Sequence, residues 1–325
     1  VITSADFDGD GKSDVAVANR GHTNLSGKVL QGGTVQVLFG GNAVLQDTED
    51  NPLNTNDLTG NPGGLLITGL SDGGAASGDV PISMAKGDLN GDGLADLAIG
   101  DPNANQVYVI YGSAKLHSSI LDVTNLSPDQ GYVISGPDVT SSGSTSSSHF
   151  GYSIAIGNFN SKAVNGVNPS GTKYDLVIGS PNANTGSGIV YVAYDGSSRY
   201  TPIYTSQNQR ELAGYSVAVS SCTDGKTFTN NQYSDDLIIG AVGYQDTIAN
   251  QWKGLSDLPS NTNSNPDGTQ AFPSSSTVSV GAVYVYQSSG TATPFADTPY
   301  ATFVGPSDVT NNGTPDDVNA GAALV

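Results

Sequence analysis

The sequence predicts an all-β fold, a β-propeller of four-stranded blades, on three observations: its composition, an internal repeat, and the apolar pattern inside each repeat. Turn-forming Gly, Asn, Asp, Ser and Pro punctuate short β-branched runs along all 325 residues, with 42 glycines and only 13% charged side chains. No long amphipathic helical pattern occurs, and no apolar run approaches the length of a membrane span. Many short strands separated by turns are the expected product. A chain this long can bury a substantial core.

The repeat decides the architecture. "ISMAKGDLNGDGLADLAIGDPNANQVYVIYG" (82–112) aligns with "YSIAIGNFN…YDLVIGSPNANTGSGIVYVAYDG" (152–196) and with "YSVAVSSCT…SDDLIIGAVGY…GAVYVYQ" (215–287). The opening "VITSADFDGDGKSDVAVAN…GGTVQVLFGG" is the same unit without its first residues. Units are expected at approximately 1–79, 80–148, 149–212 and 213–318, with "NAGAALV" (319–325) opening a further copy. A start at Val1, without Met or signal peptide, suggests a processed chain or a fragment.

Each unit reads as four strands: a first such as "YSIAI", a second such as "DLVIG", a third such as "IVYVAY", and an outer segment such as "GYVISG" or "GLLITG". The second and third are apolar almost throughout, as strands packed on both faces must be. A lone four-stranded unit would leave two apolar faces in water. Stacking the units radially covers them, which makes a propeller. A sandwich of unrelated strands would not place one motif at one point of every unit.

The string "FGYSIAIGNFN…YDLVIGSPNANTGSGIVYVAY" resembles the FG-GAP repeat of integrin α-subunit propellers and their bacterial relatives. Phe150-Gly151, "DLVIGSP" and "GIVYVAY" carry the likeness, and "LDVTNLSPDQGYVISG" (121–136) is similar to the outer-strand region of bacterial members. The resemblance implies a seven-bladed ring, so either blades beyond these four periods are missing from this sequence, which is the expectation, or four blades close by themselves. It also implies an extracellular adhesion or protein-assembly module with structural calcium.

The chemistry concentrates in two acidic loops. In "DFDGDGKSD" the side chains of Asp6, Asp8, Asp10 and Asp14 alternate around a turn kept tight by Gly9 and Gly11, with the Lys12 carbonyl as a fifth ligand. "DLNGDGLAD" repeats this with Asp88, Asn90, Asp92, Asp96 and the Leu94 carbonyl. Oxygen-only coordination by several carboxylates suits Ca²⁺ rather than Zn²⁺ or a redox metal, and Mg²⁺ demands stricter octahedral geometry. Neither loop is an EF-hand, because the place of its bidentate Glu is held by Val17 and Ile99. A metal-free Asx-rich turn is the plainer alternative, but its crowded carboxylates would repel without a cation. Two calcium sites are therefore expected. The third unit keeps Asn158, Asn160 and Asp175, the makings of a weaker site, and the fourth retains only Asp224 and Asp236.

Other motifs are set aside. "GLSDG" (69–73) fits a hydrolase nucleophile elbow, but "GAASGDVP" cannot form the helix an elbow requires, so Ser71 reads as a repeat corner. His22, His117 and His149 read as isolated, solvated or capping side chains. "KGD" (86–88) resembles an adhesion motif, but its Asp opens a metal loop. "TSSGSTSSSHF" reads as a flexible blade connection. The long insertion at 243–280 carries Trp252, Leu255, Leu258 and Phe272 and is expected to pack over a propeller face.

Charge narrows the partners. Eleven Lys+Arg against 30 Asp+Glu, formally −19, argue against nucleic acid, and the lone Cys222 excludes an intrachain disulfide or a Cys-based zinc site. The reading that results is a non-catalytic, calcium-stabilised extracellular β-propeller, for adhesion or protein assembly, with a protein or glycan ligand and no transmembrane segment. The rivals are a lectin-like propeller, for which the sole Trp252 is thin support, and the accessory propeller of a secreted hydrolase whose catalytic domain lies elsewhere.

Overall fold

A computed structural model of the chain describes residues 1–19, 33–41, 64–71, 82–117, 119–137, 139–141, 144–160, 163–164, 170–206, 211–220, 232–242, 245–247, 277–279, 281–289, 291, 294–304, 308–309 and 315–316. Four antiparallel sheets of the expected kind form along it. The first holds β1 (Ile2–Ala5), β2 (Asp14–Asn19), β3 (Thr34–Leu38) and β4 (Gly64–Thr68). The second holds β5 (Ser83–Gly87), β6 (Asp96–Asp101), β7 (Gln106–Ile110) and β9 (Gly131–Ser135). Before β9, the chain returns to the first sheet as β8 (Ser119–Asp122), which pairs parallel to β4.

After β9, a hairpin of β10 (Val139–Ser141) and β11 (Ser144–Ser146) precedes the third sheet. That sheet comprises β12 (Ser153–Gly157), β14 (Asp175–Ser180), β15 (Ile189–Ala193) and β16 (Thr201–Thr205). The fourth comprises β17 (Ala213–Ser220), β19 (Asp236–Ala241), β22 (Ala282–Tyr286) and β23 (Ala301–Val304). Between these sheets, β13 (Ala163–Val164) pairs with β18 (Gln232–Tyr233). The arrangement is an all-β propeller of four-stranded blades.

Strand alternation explains how the blades stack. Ala16, Val35 and Val37 of the first blade share a core with Leu97, Ile99, Tyr108 and Ile110 of the second. The intervening residues Ala98, Val107 and Val109 meet Leu176, Ile178 and Tyr191 of the third. Val177, Val190 and Val192 then meet Leu237, Ile239, Tyr284 and Tyr286 of the fourth. Successive side chains thus face opposite neighbours. That is why β6 and β14, each flanked on both sides, are buried at every position. In β2, Val15 remains 36% exposed. Each fully buried Leu or Ile contributes roughly 1.5–3 kcal/mol, and these cores join neighbouring blades.

The same stacking accounts for two glycines. Gly151 sits at φ +86°, and a Cβ on Gly100 would collide with its carbonyl oxygen. Ser83 Oγ donates to that carbonyl at 2.8 Å, as Ser153 Oγ does to Gly214 at 2.8 Å one blade later. The backbones of adjacent blades touch here, and only glycine permits it.

Two connections differ from simple linkers. The Ser-rich stretch expected to be flexible contains the β10–β11 hairpin, and Ser148 beyond it is buried with its Oγ donating to Asn105 Oδ1 at 2.8 Å. The long insertion falls between β19 and β22, where β20 (Gln245–Thr247) pairs with β21 (Thr277–Ser279). Its Trp252, Leu255, Leu258 and Phe272 lie outside the described residues.

Candidate metal centre

The first acidic loop joins β1 to β2 and is curled around its own carboxylates. Gly9 N and Gly11 N donate to the two oxygens of Asp6 at 2.8 and 2.9 Å. Asp10 N donates to Asp8 Oδ1 at 3.0 Å, and Lys12 N to Asp10 Oδ1 at 2.8 Å. The second loop, between β5 and β6, repeats every step. Gly91 N and Gly93 N donate to Asp88 at 2.6 and 2.9 Å, Asp92 N to Asn90 Oδ1 at 2.8 Å, and Leu94 N to Asp92 Oδ1 at 2.8 Å. Alternating Asx turns with glycine between them generate one loop shape from one spacing.

The donor set of the first loop suits a hard cation. Ligand oxygens of Asp6, Asp8 and Asp14 lie within 4.8 Å of one another, the one such three-residue group among the described residues. A carboxylate oxygen that accepts an N–H keeps a lone pair for a metal. Three carboxylates and no soft ligand match Ca²⁺ chemistry, so the residues present fit the ion. Asp10 stands at the rim, with the Lys12 ammonium 3.5 Å from its second oxygen. In the second loop Asn90 Nδ2 donates to Asp92 Oδ2 at 2.8 Å, while the amide oxygen of Asn90 accepts Asp92 N.

The last acid of each loop has a second duty. Asp14 accepts Phe7 N at 2.6 Å and Gly40 N at 2.8 Å, clipping the loop to the end of β3. Asp96 accepts Leu89 N at 2.8 Å, Asn90 N at 3.1 Å and Gly112 N at 2.8 Å. Burial raises both carboxyls, Asp96 to about 7, while these N–H groups pull them back and neighbouring acids push them up again. The clip persists in the other blades. Asp175 accepts Phe159 N and Asp195 N, both at 2.8 Å, and Asp236 accepts Ser288 N at 3.1 Å.

The third turn brings in two carboxylates that the nine-residue spacing does not reveal. Asn158 N donates to Asp235 Oδ2 at 2.8 Å, and Asn160 Nδ2 to Asp195 Oδ1 at 3.0 Å. Asp235 and Asp195 come from the edges of β19 and β15, outside the loop, and only the doubled "DD" and the "YDG" after the third strand hint at them. Asp175 is buried, its carboxyl raised to about 6 chiefly by desolvation. Asp224 lies outside the described residues.

Two histidines are not the isolated side chains expected. His117 Nε2 is 2.5 Å from Asp8 Oδ2, and its ring stacks on Phe39 with centroids 4.2 Å apart. His149 is half-buried beside Asn182 Nδ2 at 2.9 Å. His22 lies outside the described residues. Ser71 gives its N–H to Asp101 Oδ2 at 2.7 Å and its hydroxyl to Asp101 Oδ1, a corner that ties the first blade to the second.

The sequence matches the FG-GAP repeat over residues 1–38 and 80–110, and each segment contains one acidic loop. The chain carries FG-GAP repeats. This FG-GAP chain is also similar to phosphatidylinositol-glycan-specific phospholipase D from Bos taurus, 30% identical over 200 residues, covering 61% of this chain and 20% of that protein. The Mus musculus protein of that name is 30% identical over 205 residues, with 60% and 20% covered. The FG-GAP chain thus spans about a fifth of the length of these relatives. Among the described residues, no helix is long and apolar enough to cross a membrane.

Proposed function

We propose that this FG-GAP propeller is a non-catalytic, calcium-stabilised extracellular module that presents a surface for adhesion or protein assembly. The observation that carries the reading is the repeated loop: two segments fold the same oxygen-lined turn with the same backbone hydrogen bonds. Asp6, Asp8, Asp10, Asp14 and the Lys12 carbonyl would hold one ion. Asp88, Asn90, Asp92, Asp96 and the Leu94 carbonyl would hold the other. A weaker third site would draw on Asn158, Asn160 and Asp175.

Calcium supplies charge neutralisation here. The chain's own residues gather like charges between two strands of a blade, and a cation bound only to the folded loop stabilises that turn. Calorimetry of the metal-stripped chain tests the reading, with two binding events expected and a raised melting temperature at millimolar Ca²⁺. Absence of both would exclude it. Extracellular sites of this type commonly bind at about 10⁻⁴ to 10⁻³ M.

A second reading, the accessory propeller of a secreted hydrolase, draws support from the two phospholipases D that the chain resembles. Comparing hydrolase activity of this chain with that of the full product of its gene, where that product is longer, separates the readings. Activity confined to a longer product supports the accessory role. A longer product without activity supports the adhesion or assembly role.

A further inference from the structure

We propose that His117 is a positioning residue for the first loop, holding Asp8 in its ligand orientation from a strap that the second blade lays across the first. This rests on the calcium reading above. The strap leaves the end of β7 and is pinned repeatedly. Ser113 N donates to Phe7 O at 2.8 Å, inside the loop itself. The short turn Ala114–Leu116 follows, capped by the Ser113 side chain. Leu116 is buried in the core that contains Phe39, Leu121 and Val123. Downstream, β8 pairs with β4 in parallel register, Leu65 opposite Ser119 through Thr68 opposite Asp122. His117 sits between these anchors, so its position is set from both sides.

Its contact is directed. Asp8 has a side chain only 1% exposed, His117 one 32% exposed, and Nε2 lies 2.5 Å from Asp8 Oδ2. A carboxylate accepts only, so the imidazole N–H donates. Stacking on Phe39, 18° from parallel, fixes the ring plane and aims that donor. His117 is not part of the mutually close set Asp6, Asp8 and Asp14. It acts on a ligand and is not one itself. Such outer partners lower the cost of assembling a metal site, because the ligand no longer has to be ordered on binding.

The second loop is built otherwise. Asn90 stands where the first loop has Asp8, and its amide donates to Asp92 within the loop. The following blade reaches that loop through the backbone, Tyr174 N to Asp88 O at 2.8 Å. The two loops therefore share a ligand spacing and differ in what supports it.

The test uses the full chain carrying Asp92→Ala, which silences the second loop, and reads terbium luminescence and calcium displacement at the first. H117F keeps a ring on Phe39 and removes the donor. H117Q restores an N–H donor. H117F should weaken the first site about tenfold or more, and H117Q should recover most of that loss. Calcium-dependent protection from hydrogen exchange over residues 113–122 should vanish in H117F and return in H117Q. Equal affinity of H117F and the parent overturns the proposal. A parent that binds no metal overturns the calcium reading as well. If H117F fails to fold, H117Q is compared with H117N, whose shorter amide falls short of Asp8. Tighter binding by H117Q then supports the proposal, and equal affinity of the two overturns it.

Discussion

The turns of the first two blades and those of the last two keep one feature and differ in the rest. All four end in an aspartate whose carboxylate accepts a backbone N–H from beyond the third strand: Gly40, Gly112, Asp195 and Ser288. In the sequence, only the first two add the alternating oxygen-bearing side chains Asp6, Asp8, Asp10 and Asp88, Asn90, Asp92. The terminal aspartate is thus a structural clip in all four blades, and the acidic loop accompanies it in the first two. A residue type that reads as a ligand by spacing carries a second role that spacing hides.

The largest expected effect comes from breaking the clip. Asp96→Ala leaves three N–H groups without their acceptor. Two of the three are buried, and at about 1–3 kcal/mol for each buried donor left unsatisfied the change should destabilise the chelator-treated protein by roughly 2–6 kcal/mol in urea unfolding. Asp175→Ala, in a turn without the acidic loop, should lose a comparable amount in chelator, since it leaves Phe159 N and Asp195 N without their acceptor. Asp10→Ala, at the exposed rim, should cost less than about 1 kcal/mol in chelator. With calcium at a hundred times Kd it should forfeit about 2.7 kcal/mol of added stability. Equal and mild losses for Asp175→Ala and Asp10→Ala in chelator would break the comparison.

Glycine substitutions give effects of middle size. Gly100→Ala places a methyl against the Gly151 carbonyl of the next blade, and overpacking of this kind costs about 1–3 kcal/mol. Gly11→Ala meets nothing within 4 Å but must hold φ +83°, a penalty of about 1 kcal/mol. Urea midpoints in chelator should rank the two in that order. The reverse order would mean that the blades can part to admit a side chain.

The smallest effect belongs to His149. Burial holds its imidazole below the ordinary histidine value, and its Nδ1 accepts from Asn182 in the neutral form. The neutral ring is favoured in the folded state, so its share of stability is present above the ordinary histidine pKa and is lost as pH falls through the depressed one. His149→Asn removes the titration, and asparagine tolerates the φ of +53° at this position. The variant should flatten the fall in melting temperature below about pH 6.5. An unchanged slope would assign that fall to other groups.

How much the sequence disclosed follows from how local each feature is. The second strands "DLAIGD", "DLVIGS" and "DLIIGA" are legible because two-sided burial makes their centres apolar, and the loop turns are legible because their hydrogen bonds span two to five residues. What escaped is what crosses between blades. His117 meets Asp8 109 positions away, and no local spacing encodes that. Glu211 is fully buried, taking the hydroxyls of Tyr204 at 2.9 Å, Ser206 and Tyr284, the last from the fourth blade. In sequence it is one acid before "LAGYS". Asp235, beside the fourth blade's β19, escaped for the same reason, while Asp195 escaped because it reaches the third turn from the far end of its own blade's third strand.

The most direct test is calcium calorimetry on the metal-stripped chain, run beside Asp92→Ala. If the two acidic loops are calcium sites laid over structural clips, the parent should show two binding events in the range of about 10⁻⁴ to 10⁻³ M. Asp92→Ala should show one, with the melting temperature in chelator nearly unchanged. A parent that gives neither heat nor a melting shift at millimolar Ca²⁺ would contradict the claim, leaving the loops as turns held by their own hydrogen bonds.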